Sequence, residues 1–331
     1  MTTFARRLLA GFLFLLGLEP AAALERIART PYVGAIVVDA ATGRVLFEDR
    51  ADERGYPASV TKLMTLAVVL DRVDAGQLAF DSPVTVSAAV AGIGGSQVYL
   101  KQGEVFTVDD LLYALMISSA NDAALALAIH AAGSREAFVG LMNAKARALG
   151  MTSTVFHSPH GLPPARDQSP DVSTARDLAL LSRALASRPD ALRYTSVRVR
   201  TLREATAQPF EMRNHNNLLG RLPGCDGLKT GYFAAGGSSI ALTVQRAGRR
   251  IVVIVLSAEG SKNRDLRAAE LAEQGFAALA AGDPAPGSPA ARPGEIPTVK
   301  TDKAVPAPQQ SSTPAEPLIK FTPPAPPKKK P

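Results

Sequence analysis

The stretch SIALTVQRAGRRIVVIVLS, residues 239–257, decides the fold. Two apolar, β-branched runs, Ser239 to Gln245 and Ile251 to Ser257, flank a turn at Ala247-Gly248 and read as a strand pair. A matching pair stands near the other end of the chain. Tyr32 to Val38 is apolar, Thr42-Gly43 has turn chemistry, and Arg44 to Glu48 returns. Between the pairs the apolar spacing becomes helical over Lys62 to Val73, Val108 to Ile117, Asn121 to Ala132, Ser134 to Leu149 and Ser173 to Ala186. Ser134 and Ser173 stand where N-caps belong, and Asn263 to Leu279 is a last helix. Strands at both ends and helices between them predict one α/β domain. Its antiparallel sheet is built from the two chain ends, with helices on its faces and a helical region inserted.

The chain has 331 residues, 46% of them hydrophobic, enough for a sizeable core. Its ends differ from this body. Residues 1–23 carry Arg6 and Arg7, an apolar run from Leu8 to Leu18, and the small residues Ala21-Ala22-Ala23. That is the pattern of a secretory signal, too short to span a bilayer. It predicts an exported protein of the periplasm or cell envelope. Residues 281–331 form a Pro-rich basic tail whose composition predicts disorder, since it cannot bury enough apolar area to offset its ordering entropy. Lys328-Lys329-Lys330 offers a cluster that could touch a membrane surface or wall polymer; a solvated spacer is the plainer reading. Of the formal charge of +7, residues 1–23 hold +1 and residues 284–331 hold +4, which leaves a nearly balanced body. A nucleic-acid footprint needs clustered basic charge on the folded part, so nucleic acid is not an expected partner. A lone Cys225 makes no internal disulfide and reads as a small, partly buried residue.

Three short motifs carry chemistry. In Ser59-Val60-Thr61-Lys62, at the start of an apolar helix, positions i and i+3 share a face. A serine is a poor nucleophile until a base takes its proton, and a lysine of depressed pKa can be that base. The backbone N–H of Ser59 lies at the positive end of the helix, where it favours an oxyanion. In Ser119-Ala120-Asn121, a polar break between two helices, Ser119 could relay a proton and Asn121 could hold a substrate amide. In Lys229-Thr230-Gly231, ahead of the Ser239 strand, Lys229 and Thr230 would project towards a cleft. Gly231 allows close backbone approach, and the Tyr232 N–H could be a second oxyanion donor. Taken singly, each motif has a plainer alternative: a cap with a surface lysine, a helix connection, a strand end. Together, in this order, they are the set shared by serine β-lactamases and penicillin-binding proteins.

Over residues 28–280 the sequence resembles the D-Ala-D-Ala carboxypeptidase family, the low-molecular-mass penicillin-binding proteins. The resemblance extends to Ala58 through Thr65, Ser119-Ala120-Asn121-Asp122-Ala123, His160-Gly161-Leu162, Asn214-His215-Asn216 with Leu218-Leu219, and Asp226 through Gly231. Phe233 stands where the family often has Thr, His215 where some members have Arg, and the Pro-rich tail where many have a β-rich domain and an anchor helix. The resemblance implies a β-lactamase/transpeptidase-like fold and a serine peptidase spanning residues 24–280. It implies that Ser59 attacks the carbonyl of the penultimate D-alanine of a peptidoglycan stem peptide, with Lys62 as base. Ser119 then passes a proton to the departing D-alanine, Asn121 and Thr230 hold the substrate, and Lys229 and Arg264 favour its terminal carboxylate. β-Lactam antibiotics would be covalent inhibitors.

No metal or cofactor is called for, and the four histidines lack H-E-x-x-H spacing. His160 reads as a structural histidine in a Pro/Gly turn, and Glu104, Asp109 and Asp110 as helix-start charges. Three rivals stand beside the carboxypeptidase. A β-lactamase of the same fold would need a deacylating acid, which Val155 to His160 lacks. A DD-endopeptidase or transpeptidase would share every motif. A catalytically idle wall-binding protein would have no need of Ser59, Lys62, Ser119 and Lys229 together.

Overall fold

The computed structural model describes residues 24–166 and 168–282. The signal segment, and the tail beyond Gly282, lie outside the described residues. The main sheet has five strands: β1 (Gly34–Asp39), β2 (Val45–Asp49), and three more from the later chain. A short ribbon comes between them, β3 (Val199–Leu202) with β4 (Phe210–Arg213). The three later sheet strands are β5 (Cys225–Phe233), β6 (Gly237–Arg246) and β7 (Arg249–Ala258). The spatial order is β2-β1-β7-β6-β5, with every neighbour antiparallel. The two chain ends thus meet at β1 and β7, where Val37 lies opposite Val253.

Besides a single turn at Ala88–Ala91, the helices among the described residues are α1 (Lys62–Asp74), α2 (Val108–Ile117), α3 (Asn121–Ala132), α4 (Arg135–Ala148), α5 (Ala175–Ala186), α6 (Pro189–Thr195) and α7 (Ser261–Ala281). Helix α7 covers one face of the sheet through Ala268, Leu271, Ala272 and Leu279, which recur at helical spacing. Helix α5 and the rest of the helical region cover the other face. A strand covered on both faces has no need to alternate, and Ile251 to Ala258 is buried without a break. Edge strand β2, by contrast, mixes exposed and half-buried positions. Helices α1 and α3 are central to the inserted region, and most of their residues are buried all round.

Local signals decide most boundaries. Ser134 caps α4 by accepting from Ala137 N at 3.0 Å. Ser173, expected as a cap, is not one: Ser173–Thr174 pairs as a short strand with Arg54–Gly55. Thr174 is the cap, accepting from Asp177 N at 3.1 Å, with Asp177 in the position of a capping box. The Lys229-Thr230-Gly231 motif lies in the nine-residue edge strand β5, ahead of the strand that holds Ser239. Cys225, at the start of β5, is half-buried, and burial pushes its thiol up to about 11. No described helix is long and apolar enough to cross a membrane.

Because α7 holds its sheet face through a few fully buried side chains, Leu271→Ala is expected to cost about 2–5 kcal/mol, read as a lower denaturant midpoint.

Candidate active site

Ser59 lies in a 3₁₀ turn, Ala58–Thr61, that runs directly into α1 and puts Lys62 one turn further on. Lys62 Nζ stands 3.0 Å from Ser59 Oγ, 2.7 Å from Asn121 Oδ1 and 2.6 Å from the His160 carbonyl. The last two atoms only accept. Lys62 is fully buried, and burial first, then the nearby Lys229 cation, hold its ammonium well below the ordinary lysine value. A neutral amine has two N–H groups, which go to Asn121 and His160. Its lone pair is left facing the Ser59 hydroxyl, the arrangement a general base requires.

The partners of Lys62 are themselves fixed. Asn121 opens α3, and its Nδ2 donates to Gly94 O at 2.8 Å, which orients its oxygen on Lys62. Each end of this amide thus makes one bond to protein. Its Nδ2 keeps a second N–H and its oxygen a second lone pair, so Asn121 positions Lys62 and keeps the capacity expected of it to hold a substrate amide. The His160 carbonyl is held by a laced segment. Asp171 accepts from His157 N, Ser158 N, Ser158 Oγ and Thr61 Oγ1, and Pro159 O accepts from Thr65 Oγ1 at 2.6 Å. Burial pushes the Asp171 carboxyl up in spite of these bonds. The His160 imidazole is structural. Its Nδ1 accepts from Leu162 N, and burial, then Lys62 and Arg135, hold it down to about 3.

A cleft of about 970 Å³ opens over Ser59. Ser119, Thr230, Gly231, Tyr232 and Arg264 line it, as expected of them. Ser119 has a left-handed backbone, φ +56°, and its hydroxyl makes no hydrogen bond among the described residues. Lys62, Asn121 and Lys229 lie behind the lining. Lys229 is buried and donates to the Thr230 carbonyl at 2.9 Å; burial and then Arg264 bring its amine down to about 7. It acts on the cleft through charge from behind rather than by contact. Arg264, near the start of α7, is 4% exposed and pairs with Asp265 at 2.6 Å while facing the cleft.

Gly231 explains how strand and turn meet. A β-carbon there would stand 2.5 Å from Pro57 O and 2.9 Å from Ser59 N, so only glycine lets β5 close on the nucleophile turn. Gly161, at φ +78°, faces the Ala58 carbonyl with no room for a β-carbon. Other lining residues carried no motif, among them Tyr99, Phe210, Glu211 and Arg213. Glu211 is the one carboxylate on the lining among the described residues, and it is ion-paired with Arg213 at 2.5 Å. No three His, Cys, Asp or Glu side chains gather as a metal site among the described residues.

The family model for D-alanyl-D-alanine carboxypeptidases, Peptidase_S11, matches residues 28–260. The chain is 33% identical over 242 residues to D-alanyl-D-alanine carboxypeptidase DacF of Bacillus subtilis, covering 73% of this chain and 61% of that protein. It is 36% identical over 287 residues to DacC of Escherichia coli, covering 83% and 70%. The chain thus spans 61% of the length of the first relative and 70% of the second. The structure is similar to penicillin-binding protein D2 of Listeria monocytogenes in its ampicillin-bound form. The TM-score is 0.67 at 34% identity, over 74% of this chain and 98% of that one. It is also similar to the D-alanyl-D-alanine carboxypeptidase DacD of Francisella tularensis. There the TM-score is 0.68 at 28% identity, over 77% and 72%. The fold is the transpeptidase-like one of the penicillin-binding proteins.

Two outcomes follow from this geometry. Gly231→Ala pushes β5 off the Ser59 turn and is expected to slow acylation of Ser59 on the order of a hundredfold, with folding retained by circular dichroism. For His160, the unfolded chain takes up a proton near 6.5 that the folded chain refuses until about 3. Stability therefore falls as pH falls through that window. In denaturant melts between pH 6.5 and 4, His160→Asn is expected to show a shallower loss than the wild type.

Proposed function

Because the chain belongs to the D-alanyl-D-alanine carboxypeptidase family of serine peptidases, we propose that it removes the terminal D-alanine of peptidoglycan stem peptides through an acyl-enzyme on Ser59. The observation that carries this reading is the buried Lys62 amine, anchored by Asn121 and the His160 carbonyl and 3.0 Å from the Ser59 hydroxyl. Lys62 takes the proton as Ser59 Oγ attacks the carbonyl carbon of the penultimate D-alanine. The backbone N–H groups of Ser59 and Tyr232 hold the oxyanion, and each such donor is worth on the order of 10²–10³ in rate. Ser119 hands its proton to the amine of the departing D-alanine as the C–N bond breaks, and takes in return the proton that Lys62 had accepted, which leaves Lys62 neutral again. Arg264 and Thr230 receive its carboxylate, with Lys229 adding positive charge from beneath. Water then attacks the ester carbonyl and gives a proton to Lys62, which passes it to Ser59 Oγ as the Ser59–acyl bond breaks.

The same Ser59 would take a β-lactam, as the ampicillin-bound Listeria protein suggests. The adduct is expected to persist, because the stretch Val155 to His160, whose His160 carbonyl accepts from Lys62, carries no acid to activate water as a class A β-lactamase does. This weighs against a β-lactamase. The signal-like residues 1–23 support export to the periplasm or cell envelope, where the substrate lies. The tail from 281 remains a Pro-rich basic spacer in this reading.

The test is D-alanine release from a pentapeptide ending in D-Ala-D-Ala, run beside labelling with a fluorescent penicillin. Wild type is expected to release D-alanine and to form one stable adduct on Ser59; Ser59→Ala does neither. The acid limb of kcat/KM is expected well below the ordinary lysine value of 10.5, since a protonated Lys62 cannot act as base. Rapid turnover of the drug, or labelling without D-alanine release, would sink the carboxypeptidase assignment.

A further inference from the structure

Tyr99 is held in a conformation that costs energy and is turned outwards, and neither fact is needed for the chemistry above. Its side chain is 63% exposed on the wall of the cleft contributed by the helical region. Its backbone is left-handed, φ +56°, an unfavourable state for an aromatic residue. Such strain persists only where the surroundings over-determine it, and it gathers at ligand clamps.

The surroundings here do over-determine it. On one side the buried Asp122 carboxylate accepts from Val98 N and Leu100 N, both at 3.1 Å. On the other, Arg203 donates to Val98 O at 3.0 Å and to Tyr99 O at 3.1 Å. Arg203 is in turn fixed by Glu104 at 2.6 Å and 3.0 Å. Asp122 and Arg203 thus grip the peptide units before and after Tyr99 and leave its side chain largely exposed. Arg203 also joins this loop to the β3–β4 ribbon, from which Phe210 meets the Tyr99 ring edge-on, with centroids 5.8 Å apart. Lys101 Nζ donates to Gln208 Oε1 at 2.7 Å and closes the same junction.

We propose that Tyr99, braced by Phe210, is a specificity-determining platform for the part of the substrate that precedes the D-Ala-D-Ala unit, gripping the aliphatic side chain of the residue before it. The inference deepens the carboxypeptidase reading and rests on it. Arg264 and the start of α7 lie on the sheet side of the cleft and take the terminal carboxylate, while Ser59 and Ser119 hold the scissile bond between the walls. The peptide upstream of the bond is then left to the wall that carries Tyr99 and Phe210. A rigid aromatic face suits an aliphatic chain, because it buries apolar area while losing little side-chain freedom.

The experiment compares two substrates in the full chain: N-acetyl-D-Ala-D-Ala, which has nothing to reach the platform, and a pentapeptide with a diamino acid before D-Ala-D-Ala. Penicillin labelling of Ser59 checks that each variant is folded. Tyr99→Ala is expected to lower the pentapeptide-to-short ratio of kcat/KM roughly five- to tenfold, mainly through KM. Tyr99→Phe is expected to keep the ratio, since the ring and not the hydroxyl makes the contact. An unchanged ratio in Tyr99→Ala would overturn the proposal, as would a Tyr99→Phe variant as poor as Tyr99→Ala. D-Alanine release from neither substrate by the wild type would instead remove the carboxypeptidase reading itself.

Discussion

Lys62 Nζ sits where a charged ammonium is expensive: fully buried, beside a second buried amine, and bonded to two oxygens that only accept. A lysine pKa held well below its ordinary value is the constraint to which the surrounding structure answers. Asn121 is fixed by Gly94 so that its oxygen faces Lys62. The 157–161 segment is laced to the nucleophile turn and α1 so that the His160 carbonyl does the same. Lys229, within β5, is buried, and its charge disfavours a second charge on Lys62. Remove any of these and the lone pair has no fixed direction towards Ser59.

The topology brings these groups together from distant parts of the chain. Ser59 and Lys62 come just after the first strand pair, Asn121 from the middle of the inserted helical region, and Lys229 from the strand that opens the second half of the sheet. The contact that closes the arrangement is backbone on backbone, Gly231 of β5 against the turn at Pro57 and Ser59. The sheet and the helical region are therefore registered at the reacting atom itself.

Much of this could be read from the residues. The helices over Val108–Ile117 and Asn121–Ala132 follow the apolar spacing, and both strand pairs fall where β-branched runs flank glycine turns. The serine, lysine and glycine motifs name side chains that do converge on one cleft. What stayed hidden has a common cause. The His160 and Gly94 carbonyls act through backbone atoms, which no residue type announces. Asn121 and Lys229 were legible as polar residues near the site but not as groups facing inward, because orientation depends on packing from elsewhere in the chain. The β3–β4 ribbon was missed because its strands are four residues long and partly exposed, too short for a period-two signal. Ser173 and Thr174 are both plausible caps, and a two-residue strand pairing decided between them.

Strand β5 ends the sheet, so half of its backbone polar groups point away from β6. An open edge of this kind ordinarily invites another sheet to join it, which is the route to fibrous aggregates. Here the edge looks into a slot, with the Ser59 turn pressed against Gly231 and aromatic side chains along the rim. A single extended chain can slide into such a slot and pair along it; a second sheet cannot. The shape of this edge thus works against edge-to-edge association.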